Sequence, residues 1–148
     1  MNIFVTGASG LVGTYLVNEF KKENRVVSLI HSGLVGRFQK ESLDGTLHVY
    51  GDVRDFHLLK EVLSRYEITH VFHLSAIAKV KTAHKDPLNV YDTNIMGAVN
   101  LFEACRQLDV PNIVMMQTDK VFGEKVDANE YDPYQPSEPY ATSKACAG

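Results

Sequence analysis

Short apolar runs rich in β-branched and aromatic residues alternate with stretches in which apolar residues recur every three or four positions. Asn2–Thr6, Arg25–Ile30, Leu47–Gly51, Thr69–Leu74 and Asn112–Gln117 read as strands, because each is short, largely apolar and bounded by polar or glycine residues. Leu11–Lys22 reads as a helix with Val12, Leu16 and Phe20 on one face. Asp55–Tyr66 reads as a helix that Asp55 can cap. Asp86-Pro87 has the form of an N-cap followed by proline in the first helical position. Tyr91, Ile95, Ala98, Phe102 and Cys105 then recur at steps of three and four, which predicts one long helix to about Leu108. Thr118–Pro136 is polar and reads as a loop. Ser137 is placed to cap a last helix, with Pro139 in its first turn.

Strands that are apolar throughout and separated by helices belong in a parallel sheet covered on both faces. Right-handed crossovers then predict an α/β fold, a doubly wound sheet of the Rossmann type with about five strands in the order 3-2-1-4-5. No repeat, low-complexity tract or linker divides the 148 residues, so a single dinucleotide-binding domain over 1–148 is expected. A net charge of −3 gives no electrostatic reason to expect nucleic acid or an anionic membrane as partner. No apolar stretch approaches the ~20 residues of a membrane span. Strand-like residues begin at Asn2, so no signal peptide is expected ahead of the fold. The two cysteines, Cys105 and Cys146, fall in helical patterns. They predict reduced thiols in a cytoplasmic protein, with no disulfide and no metal site.

Chemistry concentrates at the ends of the strands. Gly7, Gly10 and Gly13 lie between the first strand and the first helix. Gly7 permits the tight turn, Gly10 lets backbone approach a pyrophosphate, and Gly13 allows helix and sheet to pack closely. The start of that helix, with Ser9, Leu11 and Val12, supplies unpaired N–H groups to the phosphates. The spacing is G-x-x-G-x-x-G in the required strand–turn–helix setting, and it predicts a bound dinucleotide. The second strand ends Leu29-Ile30-His31-Ser32-Gly33, where an NAD-preferring site would often carry Asp or Glu. Without that acid the choice between NAD and NADP stays open. Arg37 is either a cation for a 2′-phosphate or a solvated loop charge. Asp52, with Val53 beside it, is either an acceptor for the adenine amine or a helix cap. Leu74, Ser75 and Ala76 end the fourth strand with residues small enough for a cofactor to lie against backbone. His73 reads as a packed core histidine.

Tyr140 and Lys144 stand four apart, on one helix face. A cation near a phenol favours the phenolate, which can take a proton from a hydroxyl while hydride leaves the carbon. Thr118, at the tip of the fifth strand, can bond the same hydroxyl. Asp119 and Lys120 follow at once, an acid and a base at the mouth of the crevice where such sheets bind ligands. The bland alternative is two loop charges in water.

TGASGLVG, GDVRD, HLSA, DPLNVYDTNIMGAVNLFEACR, TDKVFGE and YATSK, in that order, resemble the extended short-chain dehydrogenase/reductases that act on nucleotide sugars. TDK followed by PYATSKACAG is similar to the CDP-glucose 4,6-dehydratases. Epimerases of the family more often have Ser-Ser/Ala there, and dTDP-glucose dehydratases have Asp-Glu. Inverting UDP-N-acetylglucosamine dehydratases also have Asp-Lys, and 4-keto-sugar reductases share a Thr-Asp-x-Val-Phe. The resemblance implies NAD or NADP as cofactor and a nucleotide sugar as substrate. It implies a homodimer for the full-length protein, and Asn94 as the family's helix asparagine beside the site. It also implies catalysis by Thr118, Asp119, Lys120, Tyr140 and Lys144: a 4,6-dehydratase first, a 4-epimerase or 4-keto-sugar reductase second. Relatives of this kind continue well past Gly148 to build a substrate domain, so the chain is expected to hold the cofactor half. A catalytically silent dinucleotide-binding module is the alternative outside enzymes.

Overall fold

A run of three apolar residues, Ile3-Phe4-Val5, has no solvated face and so belongs at the centre of a sheet. In the computed structural model, which describes residues 1–31 and 43–148, β1 (Asn2–Thr6) is the middle strand. It pairs with β2 (Arg25–Ile30) on one side and β4 (His70–His73) on the other, and β3 (Leu47–Tyr50) and β5 (Asn112–Met115) form the edges. The order is β3-β2-β1-β4-β5 with every pair parallel, as expected.

Strand alternation splits the buried side chains between two cores. Ile3, Val5, Val26 and Ile30 pack on α1 (Leu11–Phe20) through Val17. Phe4, Val27, Leu29 and Val71 pack on the other face, against Leu59 and Leu63 of α2 (Phe56–Arg65) and Leu101 and Ala104 of a later helix. The edge strand β5 keeps Ile113 and Val114 exposed. Among the described residues no helix is long and apolar enough to cross a membrane.

The caps at Asp55 and Asp86 form as expected. Asp55 accepts the Leu58 N–H at 3.0 Å, and Asp86 accepts the Asn89 N–H at 3.2 Å ahead of Pro87. The last helix corrects its predicted cap. Glu138, not Ser137, precedes Pro139–Ala147, and its carboxylate accepts the N–H groups of Tyr140 at 2.9 Å and Ala141 at 2.7 Å. The longer side chain reaches both donors, where a serine hydroxyl one residue earlier has neither in range. The buried face of α1 is also corrected. Gly13 and Val17 face inward with Phe20, while Val12 is 45% exposed. In the first two turns the inward position falls one residue later than hydrophobicity alone suggests, at Gly13 and Val17 in place of Val12 and Leu16, while Phe20 packs inward as expected.

Two elements have no pattern to announce them. A short helix, α3 (Val80–Lys85), follows β4, and a 3₁₀ turn, Asp119–Phe122, sits inside the segment read as loop. The long helix is interrupted: α4 (Pro87–Tyr91) and α5 (Gly97–Gln107) are joined by a π turn over Asp92–Met96. The buried set is Val90, Asn94, Gly97, Ala98, Leu101, Ala104 and Cys105, a face one residue earlier than expected on both sides of the π turn, so Tyr91, Ile95 and Phe102 are only partly covered. The helix Pro139–Ala147 is α6.

Candidate active site

The chain leaves β1 at Thr6 and turns at Gly7 with φ +69°. A Cβ on Gly7 would stand 2.7 Å from the backbone of Leu74 and of Ser75, so conformation and space both require glycine. The Gly10 N–H closes the turn on the Gly7 carbonyl at 2.9 Å. Gly10 is also the N-cap of α1, with no side chain capping the first turn and no acid in it. The first N–H groups of α1 are therefore available to an anion at the positive end of the helix dipole. Gly13 serves the turn rather than the sheet. Its Cβ would lie 2.1 Å from the Gly7 carbonyl oxygen and 2.9 Å from Ala8 Cα.

This turn walls an open cleft of about 360 Å³ beyond the carboxyl ends of the strands. Of the expected cofactor contacts, Gly7, Ser9, Gly10, Asp52, Val53, Leu74, Ser75 and Ala76 line it. Leu11, Val12, Gly13, Asn94, Tyr140 and Lys144 do not. Leu29, His31, Gly51, Arg54, Ile77, Asn89 and Thr93 complete the lining; the quoted motifs contain Gly51, Arg54, Asn89 and Thr93 without giving them a role, and Leu29 and His31 lie at the strand end read for a ribose acid. The first three could have been found by position, since each lies at or just past the end of β2 or β3.

Asp52 is held from several sides. Its carboxylate accepts the Arg54 backbone N–H at 2.9 Å and Arg54 Nη2 at 2.6 Å, and stands 3.0 Å from His31 Nε2. Arg54 reaches on to Asp92 at 3.0 Å. Hydrogen bonding from Arg54 holds the Asp52 carboxyl below the usual carboxylate range, against the opposing effect of burial. Asp52 does not cap α2, which Asp55 caps. Arg37 lies outside the described residues.

His73 is a core histidine, as expected, 1% exposed. Thr6 Oγ1 takes the N–H groups of Leu74 and Ser75 at 3.3 Å each. Its own hydrogen is thus the one that points to His73 Nδ1, 2.7 Å away. The imidazole proton is then on Nε2, which is buried and has no hydrogen-bond partner among the described residues. Burial, and next the charge of Lys144, pushes the imidazole down to about 4. A histidine that stays neutral in the fold and titrates near 6.5 when unfolded removes stability as pH falls from about 6.5 to about 4. Denaturant titrations at neutral pH and near pH 4 are expected to show roughly 3 kcal/mol lost through this group. The loss should be absent from His73→Gln, and an NMR titration placing the imidazole midpoint near 6.5 would contradict it.

Tyr140 and Lys144 stand one turn apart on α6. Lys144 is 3% exposed and without an ion-pair partner among the described residues, and burial pulls its ammonium down to about 8. Asn94 ties this helix to the segment that follows β4. Its amide oxygen accepts the Ile77 N–H at 2.8 Å, its amide nitrogen donates to Ser143 Oγ at 2.9 Å, and Ser143 Oγ donates to the Tyr140 carbonyl at 2.7 Å. With its amide engaged inside the protein, Asn94 is placed to hold α6 rather than to touch a ligand. Gln117 adds a second tie, donating to the Lys144 carbonyl at 3.0 Å. Thr118 caps the 3₁₀ turn, accepting the Lys120 N–H at 3.3 Å, and Asp119 and Lys120 are exposed on that turn. The turn packs against α6. The two carboxyl-terminal motifs are thereby neighbours, although the polar segment 123–138 separates them in sequence.

The chain is 33% identical to UDP-glucose 4-epimerase of Lacticaseibacillus casei over 147 residues, which cover 97% of this chain and 44% of that enzyme. It is 28% identical to CDP-glucose 4,6-dehydratase of Salmonella typhimurium over 153 residues, covering 98% and 43% respectively. Among solved structures, UDP-glucose 4-epimerase of Thermus thermophilus in complex with NAD matches with a TM-score of 0.89 at 32% identity, covering 99% of this chain and 48% of that one. The chain thus spans less than half the length of each. Residues 3–148 match the profile of the NAD dependent epimerase/dehydratase family. A glycine turn on β1, a cleft at the strand ends and a helix carrying Tyr140 and Lys144 agree with that match, and the chain belongs to the NAD dependent epimerase/dehydratase family.

Proposed function

We propose that the protein is a nucleotide-sugar 4,6-dehydratase and that this chain forms its cofactor half. The observation that carries the reading is Asp119-Lys120, directly after Thr118 on a 3₁₀ turn packed against the helix of Tyr140 and Lys144. The side-chain-free Gly10 and the uncapped start of α1 fit a dinucleotide pyrophosphate. Ser9, Gly10, Asp52 and Ser75 would hold the cofactor along the cleft. A bound nicotinamide supplies a reversible hydride acceptor. Tyr140, one helical turn from Lys144, takes the proton of the sugar 4-hydroxyl, and Thr118 bonds the same oxygen. The resulting ketone acidifies the hydrogen on the next carbon. Lys120 removes that proton, Asp119 protonates the departing 6-hydroxyl, and return of the hydride to carbon 6 and of a proton to carbon 5 saturates the double bond so formed.

A 4-epimerase is the second reading, favoured by the similarity to the Lacticaseibacillus casei enzyme. Product analysis separates the two. The protein, at the length its gene encodes, is expected to turn a nucleotide hexose into a 4-keto-6-deoxy product without net consumption of cofactor. A product that differs only in configuration at carbon 4 would establish the epimerase, and reduced cofactor accumulating with product would mark a simple dehydrogenase.

A further inference from the structure

We propose that Gly123 and the Gln135 backbone form a clasp that positions the Asp119-Lys120 turn against Tyr140, an inference that rests on the dehydratase reading above. That reading needs all three side chains at one sugar, yet residues 121–139 lie between Lys120 and Tyr140 in sequence. An open loop of that length would leave their spacing loose. Here the loop is closed at its base. The Gln135 N–H donates to the Val121 carbonyl at 2.8 Å, and Val121 is buried. The Gly123 N–H closes the 3₁₀ turn on the Lys120 carbonyl at 3.1 Å. Gly123 has φ +70° and ψ −134°, outside the left-handed helical region that other residues can reach. A Cβ there would also stand 2.5 Å from the Gln135 carbonyl oxygen. Both sides of the clasp therefore meet at backbone level, and Phe122 and Tyr134 pack edge to face beside it with ring centroids 5.4 Å apart.

The clasp shortens the path between the two motifs. Lys120 immediately precedes Val121, and Tyr140 stands five residues past Gln135. Those five residues are stiff. Pro136 and Pro139 fix their own φ and disfavour helix at the residue before each. Glu138 is extended, with φ −148° and ψ 161°, and caps α6. The tip of the loop instead bonds within itself. Lys125 pairs with Asp132, whose carboxylate accepts the Asn129 N–H at 2.8 Å. Tyr131, at that tip, is 89% exposed. The spacing of the acid–base turn from Tyr140 is thus set by the clasp and by the packing of the turn on α6, and the tip has no part in it.

The test uses the protein at the length its gene encodes, with a nucleotide hexose as substrate. Rapid-scan absorbance follows reduced nicotinamide, product analysis follows dehydration, and calorimetry follows NAD binding. Gly123→Ala drives a side chain into the clasp, and Gln135→Pro removes its donor. Either should slow formation of the 4-keto-6-deoxy product by at least about tenfold. Reduced nicotinamide should still appear, and persist, because Thr118 stays with β5 and Tyr140 with α6. NAD affinity should hold, since the glycine turn follows β1, two strands away from β5. Gln135→Ala, which keeps the N–H, and Tyr131→Ser should match wild type. Where one clasp variant fails to fold, the other decides. Dehydration at the wild-type rate in a folded clasp variant overturns the proposal. Equal loss of nicotinamide reduction and of product also overturns it, because the turn would then not be displaced separately from Tyr140. A wild-type protein that yields only the 4-epimer overturns the dehydratase reading, and this one with it.

Discussion

Lys120→Met, in the protein at the length its gene encodes, is expected to stop dehydration while leaving the first oxidation in place. Removing hydride from the sugar needs only Thr118, Tyr140 and Lys144. Eliminating water needs in addition a base for the carbon acid and an acid for the leaving hydroxyl, each worth roughly 10²–10⁴-fold. Thr118 fixes the turn that carries both groups by accepting the Lys120 N–H, and α6 packs on that turn. Methionine keeps the length of the side chain and removes its charge and its proton-accepting nitrogen. A rapid-scan absorbance trace should show reduced nicotinamide appearing and persisting, with product formation down by about 10²-fold or more. Tyr140→Phe should instead prevent the reduced cofactor from appearing at all. Dehydration by Lys120→Met at the wild-type rate would make Lys120 a solvated loop charge, and the epimerase reading would take its place.

Gly10→Asp should abolish dinucleotide binding without unfolding the protein. Gly10 has φ −77° and ψ 171°, a conformation open to any residue. A Cβ there meets only the Gly7 carbonyl oxygen, at 3.1 Å. Aspartate is at least as good an N-cap as glycine, which offsets the tight contact with the Gly7 oxygen, so the melting temperature without ligand should change little. In the complex the same carboxylate would stand where the pyrophosphate lies and take over the N–H groups meant for it. Affinity should fall by about 100-fold or more, ~2.7 kcal/mol, read by calorimetry. Equal affinity for wild type and variant would remove the phosphate site from the glycine turn. Gly13 is the less informative target. With Gly7 oxygen 2.1 Å from its would-be Cβ, a side chain there displaces the turn and confounds binding with folding.

The strand order was legible because continuous apolar runs such as Ile3–Val5 and Val26–Ile30 admit few arrangements once helices separate them. The glycine turn was legible because its spacing and its strand–helix setting coincide. The buried face of α1 was not, because Leu11 and Val12 are apolar yet exposed while the residue that must face inward, Gly13, carries no hydrophobic signal. The contact between His31 and Asp52 was hidden for another reason. Residues that follow neighbouring strands meet only when the sheet brings those strands together, and nothing local marks either as the other's partner. Likewise the 3₁₀ turn at Asp119–Phe122 leaves no periodic trace in so short a span. The π turn was masked by the helical period running through it, and the polar Asn94 among apolar neighbours was its one sign.

That π turn makes chain length, and not only side-chain identity, a requirement of the site. A π turn holds one residue more than the α-helix it interrupts. Losing any single residue from Asp92–Met96 would let the helix close into regular α geometry. The backbone would gain better hydrogen bonds and the flanking helices would keep their faces, but the wide turn itself would be lost. Asn94 would then be drawn away from Ile77 and Ser143. Five residues in this stretch can therefore be exchanged one for another more readily than they can be shortened to four.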